Sequence, residues 1–254
     1  MTDRNTTTFN LLRRLQEQNE SDIPIDIGRK SATTFTLQPQ PQPQESPSFV
    51  SVTVYPQDPF VSEPEVRQMT TSYINPGLSN ARFQVVDHAS PPAKADEQGN
   101  YMFWPGSPEF DQVNSFYYAT FTLRMYERYA QRSLPWSFNE PRLVINPHAG
   151  SGGNAYYSEM DHLLGFNGFQ DGDGIIESAQ SADIVSHETG HAILDGVRDL
   201  YNESFGLGSN AFHESFGDMT AILVALHDDS LIQRLLDWTH GDLHTDNFIA
   251  AVAE

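Results

Sequence analysis

The segment Ala182–Val197 constrains the fold more than any other part of the sequence. It predicts a long helix with apolar residues on most sides, among them Ile184, Val185, Ile193 and Leu194. A helix without a wide polar face is normally buried. The chain is therefore expected to fold around this helix, and each polar side chain on it needs a partner inside the protein.

The polar residues of this helix form the pattern Ser186-His187-Glu188-Thr189-Gly190-His191. Residues four apart lie on one helix face, so His187 and His191 can bind the same cation. Glu188 lies beside that face, where it can contact a metal-bound water. Asp195, four residues after His191, is expected to accept the free ring N–H of that histidine. The alternative, two unrelated histidines on a surface helix, predicts a polar face that this helix lacks.

A second mostly apolar helix, predicted over Asn210–Leu226, offers a third ligand. Catalytic zinc takes three protein ligands and keeps one position open. Glu214 and Asp218 are again four residues apart, which favours Glu214 as a zinc ligand and Asp218 as the residue that orients His187. His213 is a rival ligand, but it projects about 100° away from Glu214 around the helix.

The remaining patterns predict an α+β fold, with strands mainly before helices. Alternation predicts a strand at Val50–Val54, and further strands are expected at Arg82–Val86 and Leu143–Asn146. Spacings of three and four predict a helix at Val113–Arg132. Three shorter elements are also expected along the chain: an extended segment at Asn154–Tyr157, a Gly/Asp-rich loop at Phe166–Gly174 and a short helix at Leu231–Trp238.

Three regions are expected along the chain. Residues 1–45 contain the spacer Gln38–Gln44, in which alternating prolines favour polyproline II. This region is either a polar tail or an inhibitory pro-segment, and the sequence leaves both open. Residues 46–181 are expected to form a β-rich N-terminal lobe. Residues 182–254 are expected to form the zinc helix and a helical C-terminal lobe.

The composition of the chain limits the classes of molecule and the metal ligands that are expected. The chain has 14 Lys and Arg against 34 Asp and Glu, a net charge of −20, so nucleic acid and anionic membranes are disfavoured. It has no cysteine, so a zinc site must use His, Asp or Glu. No apolar run approaches the ~20 residues that span a bilayer. Met1–Gln16 is no signal peptide, so the cytoplasm or an unconventional export route is expected. The sequence does not indicate the oligomeric state.

The motifs together resemble those of the thermolysin family of zinc endopeptidases. His187-Glu-Thr-Gly-His191 with Asp195, followed by Glu214 and Asp218, has the family's pattern of residues. Other stretches agree in family order over about residues 111–226: the long helix with Tyr117-Tyr-Ala, the segment Asn154-Ala-Tyr-Tyr157, the loop Gln170–Gly174 and the segment Leu200–Ser204.

The resemblance implies a zincin fold, with the active-site helix between two lobes, and hydrolysis of peptide or protein substrates by a zinc-activated water. Glu188 is then the general base, and Tyr201 the donor to the oxyanion. Asn154 and the Ala155 backbone would bind the substrate main chain as an added strand. Two alternatives remain open: Tyr201 as an ordinary core tyrosine and Asn154 as a turn residue.

The chain also departs from the family pattern. The family has a further oxyanion His and a substrate-binding Arg downstream, and only 40 residues follow Glu214, so we expect a truncated C-terminal lobe and reduced activity. Asp183 matches one calcium ligand, but Ala225 stands where an acidic partner is expected, so the resemblance implies only part of the family's calcium site. The alternative to an endopeptidase is a catalytically incomplete or non-catalytic zinc-binding module of the same fold. An aminopeptidase would need an acidic cluster near Asn154, and none is evident.

Overall fold

A computed structural model describes residues 48–172, 174–198 and 207–251 of the chain. They fall within one compact unit, Pro47–Glu254. The predicted tail at residues 1–45 and the segment that contains Tyr201 lie outside the described residues. The division into a tail and two lobes therefore stays a prediction.

Seven strands in the described residues form two sheets. The first sheet pairs β1 (Phe49–Val54) with β2 (Glu65–Thr70) in antiparallel register. The second sheet has the order β3-β4-β6-β5, and β7 pairs with the far end of β6. Its strands are β3 (Phe83–Val85), β4 (Leu143–Ser151), β5 (Ala155–Ser158), β6 (Leu163–Asp171) and β7 (Gly174–Glu177). The strand β5 thus lies at an edge of the sheet.

Four α-helices complete the described fold. They are α1 (Pro108–Ala130), α2 (Ala182–Val197), α3 (Leu207–Ala225) and α4 (Asp229–Thr239). Helix α1 lies between strands β3 and β4 in the chain, and the other three helices follow the sheets. The predicted α+β class is confirmed.

The ends of the helices follow from local chemistry. Helix α1 begins five residues before the predicted Val113, because the Ser107 side chain accepts a hydrogen bond from the Phe110 N–H and Pro108 suits the first turn. Helix α2 has the predicted bounds, and Ser181 caps it by accepting from the Ile184 N–H. Between these helices, the Thr122 hydroxyl donates to Ser186 Oγ at 3.2 Å.

The predicted loop at Phe166–Gly174 is wrong, because most of it forms β6 and β7. Its glycines indicated turns, yet Gly168 within it, like Gly165 just before it, makes room for a neighbouring strand. A Cβ at Gly165 would overlap the Tyr156 ring, and a Cβ at Gly168 would lie 2.5 Å from the Glu177 carboxylate. At these two positions glycine therefore serves close packing rather than chain reversal. The sequence patterns also missed β2.

Glycines also bring α2 and α3 unusually close. A Cβ at Gly190 would lie 2.8 Å from Thr220 Oγ1, and a Cβ at Gly217 would lie 2.7 Å from three atoms of the His187 ring. The Thr220 hydroxyl is in turn 2.8 Å from Tyr126 Oη of α1. This packing carries the side chains of α3 directly over the two histidines of α2.

A buried ionic cluster joins the sheet to the start of α1. His148 Nδ1 is 2.7 Å from Asp87 Oδ2, and His148 Nε2 is 3.1 Å from Asp111 Oδ2. Gln112 Nε2 donates to Asp87, and Gln180 Nε2, just before α2, donates to Asp111. Burial disfavours the charged imidazole, but its hydrogen bonds and the charges of both carboxylates raise the pKa of His148 to about 9.

This cluster predicts a loss of stability at alkaline pH. The folded state holds the His148 proton more tightly than the unfolded chain, so the stabilisation is complete below the ordinary pKa of about 6.5 and is lost as pH rises through about 9. We expect the melting temperature to fall between pH 7 and pH 10. The variant His148→Gln should melt lower at pH 7 and show a flatter pH dependence. An unchanged alkaline profile in the variant would contradict this assignment.

Within the described ranges, no helix combines the length and apolar character needed to cross a membrane.

Candidate metal centre

Three buried polar side chains of α2 converge. One ligand atom from each of His187, Glu188 and His191 lies within 4.8 Å of the others, a spacing that could hold a metal ion. The three residues are at most 8% exposed. Their ring and carboxylate atoms meet because residues three and four apart share a helix face. Burial on an otherwise apolar helix makes a polar or ionic partner necessary.

The Glu214 carboxylate of α3 faces both histidines. One of its oxygens is 3.3 Å from His187 Nε2, and the other is 3.8 Å from His191 Nε2. The Glu214 side chain is 65% exposed, so this side of the centre is open to solvent. Asp218 Oδ1 lies 3.0 Å from His187 Nδ1, although without the alignment of a hydrogen bond. The structure thus places Glu214 and Asp218 on the two ring nitrogens of His187.

The His191 ring contacts His213, which the sequence indicated only as a rival ligand. Its Nδ1 lies 3.4 Å from His213 Nδ1, a long contact on the ring edge away from Glu214. Burial, followed by the nearby His187 and His213, lowers the pKa of His191 to about 3. The ring is therefore neutral near pH 7, which is the form that binds metals. His213 therefore contacts the Nδ1 side of the His191 ring, whereas the adjacent Glu214 faces its Nε2.

Glu188 has a different environment from the two histidines. Burial and the neighbouring Glu214 carboxylate raise its pKa to about 8, although the backbone N–H of Tyr157 donates to it and opposes this shift. A cation beside Glu188 would favour its ionised form. The hydrogen bond from Tyr157 also ties the edge strand β5 directly to this carboxylate.

Tyr157 makes a second link between β5 and α2. Its hydroxyl donates to Asp195 Oδ2 at 3.0 Å and lies 3.1 Å from Ser137 Oγ. Burial raises the pKa of Tyr157, so the phenol stays protonated and donates at neutral pH. Asp195 was predicted to accept from His191, and the structure shows it accepting from Tyr157. The predicted orientation of His191 by Asp195 stays a prediction.

We expect Tyr157→Phe to lower the stability of the fold without changing the metal-binding capacity of the centre. Loss of one hydrogen bond to a buried carboxylate should lower the free energy of unfolding by about 1–3 kcal/mol. The Tyr157 N–H remains, so Glu188 stays in place and the metal content should not change. Metal analysis beside thermal melting of both proteins checks this. A variant that binds less metal than the unsubstituted chain would contradict this expectation.

The other predicted site residues are placed as follows. Asn154 is exposed immediately before β5, and its carbonyl oxygen accepts from the Asn167 N–H at 3.0 Å. Ala155 begins the edge strand and is half-buried. Tyr201 lies outside the described residues, so its role as oxyanion donor stays a prediction.

The predicted calcium residues lie at the start of α2 and the end of α3. Asp183 is buried and hydrogen-bonded to the Gln57 side chain, and burial raises its pKa to about 7. Ala225 is buried and supplies no carboxylate. Calcium therefore stays an untested expectation.

No protein-family model, curated protein or solved structure matches this chain. What the fold and the site together establish is an α+β protein with a buried His-Glu-His group on α2 that could bind a metal ion. Any further statement about its chemistry depends on the geometry of that group and its neighbours.

Proposed function

We propose that the chain is a zinc-dependent endopeptidase with a thermolysin-like arrangement of its active-site helices. The observation that carries this proposal is the position of the Glu214 carboxylate over Nε2 of both His187 and His191, with Glu188 buried beside them. Two imidazoles and one carboxylate are the ligands of the zinc peptidases that keep an open coordination position.

The donor set fits zinc better than it fits the harder divalent cations. Calcium and magnesium prefer oxygen ligands, whereas two neutral imidazoles favour zinc and its neighbours in the transition series. His187, His191 and Glu214 would hold the ion. Bound there, zinc would polarise the scissile carbonyl and lower the pKa of water.

The residues proposed around the ion have separate roles in proton transfer, ligand orientation and stabilisation of the oxyanion. Glu188 accepts a proton from the attacking water and passes it to the leaving amine. Asp218 stands behind His187, where a carboxylate orients a metal-binding imidazole. On this proposal Tyr201 donates to the oxyanion.

The edge strand β5 supports a peptide as substrate. Tyr157 directs its N–H to Glu188, away from the paired strand β6. Alternate residues of a strand direct their backbone groups to the same edge, so Ala155 presents its N–H and C=O on the open side. An extended peptide can add to this edge as a further strand, with Asn154 beside its main chain. The scissile bond would then lie next to Glu188.

The alternative is a non-catalytic zinc-binding module of the same fold. A purely structural zinc site has no need of a general base and usually closes its fourth position with protein. Here Glu188 is a buried carboxylate, held by a backbone N–H, and the exposed Glu214 leaves one side open. Both features favour the enzyme.

A paired metal and activity assay tests the proposal. The purified chain should hold about one zinc ion and hydrolyse an unstructured protein substrate such as casein, and a chelator should stop the hydrolysis until zinc is restored. His187→Ala should lose zinc and activity together, whereas His162→Ala, a histidine outside the site, should lose neither. Zinc binding without any hydrolysis would favour the non-catalytic module, and a chain without zinc would contradict both functions.

A further inference from the structure

A second site is formed at the C-terminal end of α1 by residues that take no part in the metal centre. An open surface cavity of about 450 Å³ lies there, and the three arginines that line it are exposed to solvent. Besides the carboxylate of Glu127, its polar lining comprises three arginines, a tyrosine, a glutamine and a serine: Arg124, Arg128, Arg132, Tyr73, Gln131 and Ser133.

The charge of this cavity opposes that of the whole chain. The chain has 14 basic against 34 acidic residues, yet three arginines line this one cavity. Its single carboxylate, Glu127, is already paired with Arg82 at 3.0 Å and with Arg124 at 3.1 Å. Arg128 and Arg132 have no ion pair within the described residues. The cavity therefore carries two uncompensated positive charges.

The end of helix α1 produces this clustering. The Arg132 N–H donates to the Glu127 carbonyl and the Gln131 N–H donates to the Arg128 carbonyl, the bonds of a Schellman turn. Gln131 occupies the left-handed position at φ 52°, where glycine is usual. The turn brings Arg132 back to the same cavity as Arg128, and the side chain of Gln131 also lines this cavity.

Stabilisation of the helix end does not account for all three arginines. A cation in the last turn interacts favourably with the helix dipole, which explains Arg128. Arg124 lies more than one turn earlier and is already held by Glu127 and by Tyr73 Oη, to which it donates at 2.8 Å. Arg132 lies beyond the helix. The feature that the three arginines share is that they line the same cavity.

We propose that this cavity binds the phosphate group of a soluble phosphate ester. Planar guanidinium groups bind phosphate oxygens in pairs, and two free positive charges match a phosphate dianion better than a single carboxylate. Tyr73 Oη accepts from Arg124, so its own O–H can donate into the cavity. The net charge of −20 opposes approach to an anionic bilayer, which favours a dissolved ligand over a lipid headgroup.

Titration of the full-length chain with inorganic phosphate at low ionic strength tests this site. Arginine side-chain N–H signals in nuclear magnetic resonance should shift saturably for Arg128 and Arg132. Arg128→Gln and Arg132→Gln should each weaken binding about tenfold, because each removes a charge-assisted contact. The matched control Arg142→Gln removes an exposed arginine outside the cavity and should change the affinity less than about twofold.

Three results would overturn the proposal. They are the absence of saturable phosphate binding, an equal loss in the Arg142→Gln control, and shifts confined to residues of the metal centre. If a variant fails to fold, the signals of the unsubstituted chain still decide between these results. Vesicles of phosphatidylcholine with phosphatidic acid present a phosphate group on a lipid surface, for comparison with free phosphate. Binding to them without a response to free phosphate would contradict a soluble ligand.

Discussion

Glu188→Gln should retain zinc and lose roughly 10²–10⁴-fold in the rate of peptide hydrolysis. Glutamine has nearly the same shape as glutamate, so it can keep the hydrogen bond from the Tyr157 N–H and the packing of α2. It cannot accept a proton from water. The proposed ligands, His187, His191 and Glu214, are unchanged, so the zinc content should stay at the value of the unsubstituted chain.

The assay compares zinc content and casein hydrolysis in the two proteins. Glu159→Gln is a suitable control, because it makes the same chemical change at a glutamate just after β5. We expect this control to hydrolyse casein at close to the unsubstituted rate. Retained turnover in Glu188→Gln would remove Glu188 from the mechanism. A loss of zinc in that variant would instead give Glu188 a role in holding the ion.

The sequence predicted the helices of this site because local periodicity determines them. The apolar pattern over Ala182–Val197 gave the bounds of α2, and spacings of four residues selected both histidines, Glu214 and Asp218. These predictions depend only on the geometry within one helix. The approach of the Glu214 carboxylate to the histidines then follows from the packing of α3 on α2.

The contacts that sequence reasoning missed all join distant elements. Tyr157 donates to Glu188 and to Asp195, 31 and 38 positions later, and no local pattern encodes such a pairing. His213 was considered only as a ligand, since its position behind His191 depends on the close packing of α3. The part of β6 from Phe166 onward was predicted as a loop, because glycine composition alone cannot distinguish a turn from a tightly packed strand.

Gly217→Ala is the second substitution with a large expected effect. The new Cβ would lie 2.7 Å from three atoms of the His187 ring, so either that ring or helix α3 must move. Alanine favours a helix over glycine by about 1 kcal/mol, whereas overpacking a core contact costs about 1–3 kcal/mol. We therefore expect a net loss of stability, together with a fall in zinc affinity of roughly 10–100-fold as Glu214 and His187 separate.

Gly208→Ala provides the matched control, because it makes the same change in the same helix where no atom lies within 4 Å of the added Cβ. Its zinc affinity should be unchanged, and its stability should stay the same or rise slightly. Zinc titration with a competing chelator and thermal melting of the apo and zinc-loaded proteins measure both quantities. Because displaced ligands weaken only the loaded state, the zinc-induced rise in melting temperature should shrink in Gly217→Ala and persist in Gly208→Ala. An equal rise in both variants would show that zinc binding does not depend on the close packing of α3 against His187.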